Sequence, residues 1–177
     1  MAADLLQLYR QATHWTAEKV AAADDLDAVT PCPEWRVRDL MNHMLDTQRY
    51  FAGAARGENA PLPSPSPPPL LTDDPIADFD RGSGEVMDAY AGDGVVERMG
   101  PALGIAFSDQ LLHAWDLARA TKQDATMPDG LAEVAYECIH GRFTEDQRKG
   151  VFGPEIPVGD DATPQQRLLA YTGRDPD

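Results

Sequence analysis

Ser108-Asp-Gln-Leu-Leu-His-Ala-Trp-Asp-Leu-Ala-Arg-Ala120 contains neither glycine nor proline and reads as a helix. Asp109, His113 and Asp116 fall at i, i+4 and i+7, so a period of 3.6 residues stacks them on one face. Leu112 and Trp115 flank that stripe, and Leu111 with Leu117 extends the apolar surface. A carboxylate and an imidazole one turn apart, on a face that otherwise seeks burial, need partners, because buried charge is costly unless it is paired or holds a metal. The i, i+4 spacing lets both side chains reach one ion, and a carboxylate makes a neighbouring imidazole a better ligand or base. On an isolated helix the simpler account is a core histidine satisfied by Asp109 or Asp116 alone. A second histidine elsewhere changes that balance.

The chain has 177 residues, enough to bury a single-domain core. Its net charge of −15 and pI near 4.4 argue against nucleic acid or an anionic membrane as partner. Cys32 and Cys138 lack CxxC spacing, which argues against a disulfide framework and places the expected home in a reducing cytoplasm. Met-Ala-Ala-Asp has no basic and apolar leader pattern, so no signal peptide is expected, and no apolar run approaches a membrane span.

Working outward, apolar spacing predicts a first helix over about Asp4–Ala23, with Leu5, Leu8, Ala12 and Trp15 on its stripe and His14 on its polar side. Thr30-Pro-Cys-Pro-Glu-Trp35 follows as a rigid segment, its two prolines favouring extended or turn backbone. A second helix is predicted over Val37–Ala55, with His43 at the edge of its buried face. Arg36 stands at its start, where Ser, Thr or Asp would cap better. Between Pro61 and Pro69 six of nine residues are proline, a composition for a polyproline crossover rather than a helix or strand. Asp74-Pro75 opens a third helix to Tyr90, with a break expected at Gly82 or Gly84. Gly92–Gly104 reads as a glycine-punctuated connection into the Asp109 helix. A fifth helix is expected over Asp129–Phe143 with His140 near its last turn, and Thr163-Pro164 starts a short one closed by Gly173.

His43 together with Asp109 and His113 offers three ligands from two helices. Two imidazoles and a carboxylate leave room for water or substrate, the arrangement of a catalytic rather than a structural zinc site. Spacing alone makes this a weak signal, since any helical chain with four histidines offers similar triples. Three ordered blocks strengthen it: Thr30-Pro-Cys-Pro-Glu-Trp-Arg-Val-Arg-Asp-Leu-Met-Asn-His43, Asp109-Gln-Leu-Leu-His113-Ala-Trp-Asp-Leu-Ala-Arg-Ala, and Leu168-Leu-Ala-Tyr-Thr-Gly-Arg-Asp-Pro176. Together they resemble an actinobacterial family related to the metal-binding N-terminal domain of mycothiol-dependent maleylpyruvate isomerase, within the DinB/YfiT-like superfamily. Arginine outnumbers lysine twelve to three, in keeping with a GC-rich genome.

The resemblance implies an all-α fold: an antiparallel four-helix bundle with a long Pro-rich crossover (61–75), extra C-terminal helices and a tail (150–177), all as one domain over 1–177. It implies a divalent metal on His43, Asp109 and His113, zinc first with nickel, iron and manganese as alternatives, and mycothiol as a thiol partner. Asp116 is expected behind the ligands, orienting an imidazole or pairing with an arginine such as Arg38. Two departures matter. The isomerase carries glutamate where this chain has Asp109, and its active site draws on a separate C-terminal domain for which 177 residues leave no room. Its specific reaction is therefore not expected to transfer. The expected activities are thiol transfer to an electrophile or isomerisation. A metal-dependent hydrolase and a non-catalytic metal- or ligand-binding module are the alternatives, and a homodimer is the candidate assembly. A nucleophilic Cys32 is a minor idea beside a packed cysteine.

Overall fold

The computed structural model describes residues 2–176. Among them are seven helices, α1 (Ala2–Ala21), α2 (Val37–Arg56), α3 (Pro75–Tyr90), α4 (Val95–Ala120), α5 (Leu131–Ile139), α6 (Glu145–Arg148) and α7 (Pro164–Tyr171). The only extended pairing among them is an isolated antiparallel bridge from Val29 to Arg36, which folds the Thr30–Trp35 segment back on itself. The fold is the all-α bundle expected: α1 to α4 pack together, α5 lies on α4, and α7 lies on α5.

Cross-helix contacts fix the direction of each helix. Tyr9 and Thr13 of α1 bond to Gln110 of α4, and Gln123 just after α4 reaches the Lys19 carbonyl, so α1 and α4 run the same way. Along α2, His43 faces His113 while Gln48 and Phe51 share a cavity with Ala106, so α2 opposes α4. Gln48 lies against Gly82 and Arg56 pairs with Glu85, so α3 runs with α2. Two neighbouring helices in one direction require the connection to travel back along a whole helix, about 30 Å for the 20 residues of α2. The proline-rich crossover is that return path. It is fixed at three points on α2 and just before it. Trp35 Nε1 donates to the Pro65 carbonyl at 3.1 Å, Asp46 accepts from the Ser64 amide at 3.1 Å, and buried Asn42 accepts from the Leu70 and Leu71 amides at 2.7 and 2.8 Å.

Two glycine-based expectations are corrected. Gly92–Gly104 is not a connection, because α4 begins at Val95 and carries Gly100, Pro101 and Gly104 inside it. One proline removes one helical hydrogen bond, and burial of Leu103, Ala106 and Phe107 offsets that loss. Gly104 is there for close approach: a Cβ at this position would meet Cys138 Sγ of α5 at 3.0 Å. Nor does α3 break, since Gly82 and Gly84 both lie within it. Elsewhere the correction is small. The fifth helix is shorter than expected and ends at Ile139, with His140 in extended backbone. At the start of α2 the uncapped Arg36 is relieved from the other side, its amide donating to Asp39 at 3.0 Å. As expected, Asp74 caps α3 and Thr163 caps α7 through their side chains.

Candidate metal centre

Where α2 and α4 face each other, His43 and His113 meet edge to face with ring centroids 4.8 Å apart. Asp109 lies between them. Its Oδ1 is 3.4 Å from His113 Nε2 and 3.9 Å from His43 Nε2. One donor atom from each of the three residues falls within 4.8 Å of the others. The structure thus brings the three residues together, and the helical register explains how. Asp109 and His113 are one turn apart on α4, and α2 runs antiparallel to it.

The support behind His113 is more extensive than the sequence suggests. Its Nδ1 lies 2.9 Å from Asp116 Oδ2, and the Asp116 side chain is fully buried. Asp116 also receives Arg174 bidentately, Nε to Oδ1 at 2.9 Å and Nη2 to Oδ2 at 2.7 Å. The expected arginine, Arg38, is exposed, and its place is taken by Arg174 from the segment after α7. Cys32, a free and half-buried thiol, donates to Asp116 Oδ2 at 3.2 Å. The rigid loop explains its position, because the Thr30 hydroxyl donates to the Cys32 and Trp35 carbonyls and accepts from the Cys32 amide. Trp35 from the same loop covers the other ligand, its ring 4.6 Å from that of His43. The remaining histidines stay outside: His14 is exposed on α1, and His140 stacks on Tyr136.

The charges are strongly coupled. Burial works against ionisation of Asp109, and His113 and then His43 outweigh it, holding the carboxyl far below the usual range. Burial likewise opposes the Asp116 anion, and Arg174 with His113 overrules it. For His113, burial disfavours the cation, but Asp109, Asp116 and Cys32 raise its pKa well above 6.5. Both ring nitrogens face carboxylates, an arrangement that favours the imidazolium of metal-free His113, with Nε2–H toward Asp109 and Nδ1–H toward Asp116.

Two residue groups can be drawn around His113: His43–Asp109–His113 and Cys32–His113–Asp116. The second is unsuited to a cation because Arg174 already engages both oxygens of Asp116. In the first, the named partners of Asp109 are the two imidazoles, and a donor set of two nitrogens and one carboxylate suits zinc and its divalent neighbours. A divalent metal therefore fits His43, Asp109 and His113, with Asp116 fixing the tautomer of His113 from behind.

This arrangement predicts a proton exchange. Metal at His113 Nε2 must displace the proton held there, so binding should release about one proton and strengthen as pH rises. The sign follows for stability too. A raised histidine pKa adds stability below about 6.5 that is lost as pH climbs through the folded value. The thermal midpoint of metal-free protein should fall above neutral pH while that of metal-loaded protein does not. Calorimetric titration in two buffers of different ionisation enthalpy counts the proton, and a count of zero would contradict the imidazolium assignment.

The sequence model of the mycothiol maleylpyruvate isomerase N-terminal domain matches residues 9–135, well over half of the chain. Uncharacterized proteins from two Mycobacterium tuberculosis strains are each 27% identical over 166 residues, covering 86% of this chain and 86% of their own. No solved structure gives a significant match. The matched span contains Cys32, His43, Asp109, His113 and Asp116, whereas Arg174 lies beyond it.

Proposed function

We propose, since the chain belongs to the mycothiol maleylpyruvate isomerase N-terminal domain family, that it binds one divalent metal and uses it to activate a low-molecular-weight thiol. Zinc is the first candidate, with nickel, iron and manganese behind it, and mycothiol is the thiol the family points to. The observation that carries the reading is the convergence of His43, Asp109 and His113 on one point, with a buried carboxylate and guanidinium behind it. In this reading residues 1–177 act as one metal-binding helical domain.

When bound, the metal supplies the charge that turns a thiol into a thiolate at neutral pH. The protein's own residues do the rest. Asp116 keeps the Nδ1 proton on His113 and so leaves Nε2 as the ligand nitrogen. Arg174 keeps Asp116 ionised and fixed. Trp35 packs at a tilt against His43, whose Nδ1 is buried without a partner, and so helps to restrain the ring. The crossover is pinned to Trp35, Asn42 and Asp46, on or just before the helix that carries His43. Loops held on a rigid scaffold in this way are where substrate specificity tends to reside. No helix among the described residues is long and apolar enough to cross a membrane, in keeping with small-molecule chemistry away from the bilayer.

The test is consumption of mycothiol, followed by a chromogenic thiol reagent, across a panel of epoxides, alkyl halides and maleylpyruvate-like acids. Metal-loaded protein should consume thiol with at least one of these electrophiles, and both metal-free protein and His113→Ala should not. Equal rates for all three would leave a metal-binding module without thiol chemistry.

A further inference from the structure

Next to Asp109 the bundle encloses a small cavity between α1, α2 and α4, lined by Tyr9, Met44, Thr47, Gln48, Phe51, Ala106, Asp109 and Gln110. It has room for about one water-sized group. Two amides line it, and their situations differ. Gln110 is fully engaged, accepting from the Tyr9 hydroxyl at 3.0 Å and donating to the Thr13 hydroxyl at 2.7 Å. Gln48 is only 4% exposed, yet neither its Oε1 nor its Nε2 has a hydrogen-bond partner. Tyr90, whose hydroxyl is also buried and unpartnered, lies within electrostatic reach of Tyr9. Buried amides are normally paired, so an unpaired one beside a cavity leaves a donor and an acceptor open to a guest. α3 makes room for the Gln48 amide itself, because a Cβ at Gly82 would meet Gln48 Oε1 at 2.1 Å.

We infer that this cavity is a subsite for a hydroxyl group of the ligand bound at the metal centre, with Gln48 as the residue that reads it. The inference rests on the metal–thiol reading above and names the class of thiol: one that also bears a neutral hydroxyl. The chemistry selects that class in three ways. Gln48 offers both a donor and an acceptor, which a hydroxyl complements and an alkyl chain does not. No lysine or arginine lines the cavity to receive a carboxylate or phosphate guest. The space excludes anything much larger than a hydroxyl. Gln48 lies five residues after His43 on α2, about 7.5 Å farther along the axis, and Asp109 belongs both to the cavity wall and to the candidate ligand group, which places the two sites side by side.

The experiment uses cobalt-loaded full-length protein, in which thiol binding is read from the thiolate-to-cobalt charge-transfer band. Mercaptoethanol, mercaptopropanol and mercaptobutanol are titrated against ethanethiol, propanethiol and butanethiol. At one chain length the hydroxyl-bearing thiol should bind about fivefold to tenfold more tightly than its alkyl partner. Gln48→Met should erase that preference while leaving cobalt binding and the alkanethiol affinity unchanged. Gly82→Ala, which pushes the Gln48 amide aside without altering it, should erase the preference as well and serves if Gln48→Met folds poorly. Equal affinities within every wild-type pair, or a preference that survives both substitutions, would overturn the subsite and leave the metal–thiol reading intact. Absence of the charge-transfer band with every thiol would remove both.

Discussion

Replacing His113 with alanine is expected to weaken divalent-metal binding by about two to four orders of magnitude while leaving the bundle folded. Zinc binding to protein sites is worth about 10–16 kcal/mol, so one of three ligands carries about 3–5 kcal/mol, and each 1.4 kcal/mol is tenfold. The fold survives because Asp116 retains Arg174 and Asp109 retains His43. His43→Ala should weaken binding comparably, whereas Asp116→Asn should cost only about 10–100-fold, because it disturbs orientation rather than ligation. Competition with a chromogenic chelator measures all three, and circular dichroism checks the fold. An Asp116→Asn loss as large as that of His113→Ala would make Asp116 a ligand.

The second large effect is on stability. Asp116→Ala should destabilise metal-free protein by about 3–5 kcal/mol, since it removes the bidentate carboxylate partner of the Arg174 guanidinium, whose side chain is 12% exposed. For a chain of this size that lowers the thermal midpoint by about 6–20 °C. Arg174→Met should cost less, because His113 still neutralises Asp116 from the other side. A loss for Arg174→Met equal to that for Asp116→Ala would show that the guanidinium, rather than the buried carboxylate, holds this corner together. Either substitution should also loosen metal binding, linking the segment after α7 to a centre built on α2 and α4.

Much of the centre is legible from local pattern. The i, i+4 spacing of Asp109 and His113 on an uninterrupted helix is a short-range signal, and His43 follows from the helix after the Pro-Cys-Pro loop. Cys32, Trp35 and Arg174 are not visible in that way. Cys32 and Arg174 meet Asp116 across 84 and 58 residues of sequence, and no periodicity encodes such contacts. Arg38, the arginine expected beside Asp116, is exposed at the start of α2. The one available clue was Arg174 itself, within the Leu168–Pro176 block that carries the family resemblance. Glycine misled for a related reason. Gly82 and Gly104 read as breakers, yet each sits inside a helix where a neighbour, Gln48 or Cys138, needs the space of a missing side chain. The Gln48 cavity was equally hidden, because an unpaired amide becomes apparent only once the helices around it are placed.

The most direct measurement is X-ray absorption at the metal edge of untagged protein loaded with one equivalent of zinc, before and after addition of mycothiol. The account predicts a first shell of nitrogen and oxygen at about 2.0–2.2 Å with imidazole scattering and no sulfur, gaining one sulfur at about 2.3 Å when the thiol is added. Sulfur present before any thiol is added would place the ion on Cys32 rather than at His43, Asp109 and His113. A shell unchanged by the thiol would contradict the proposed activation.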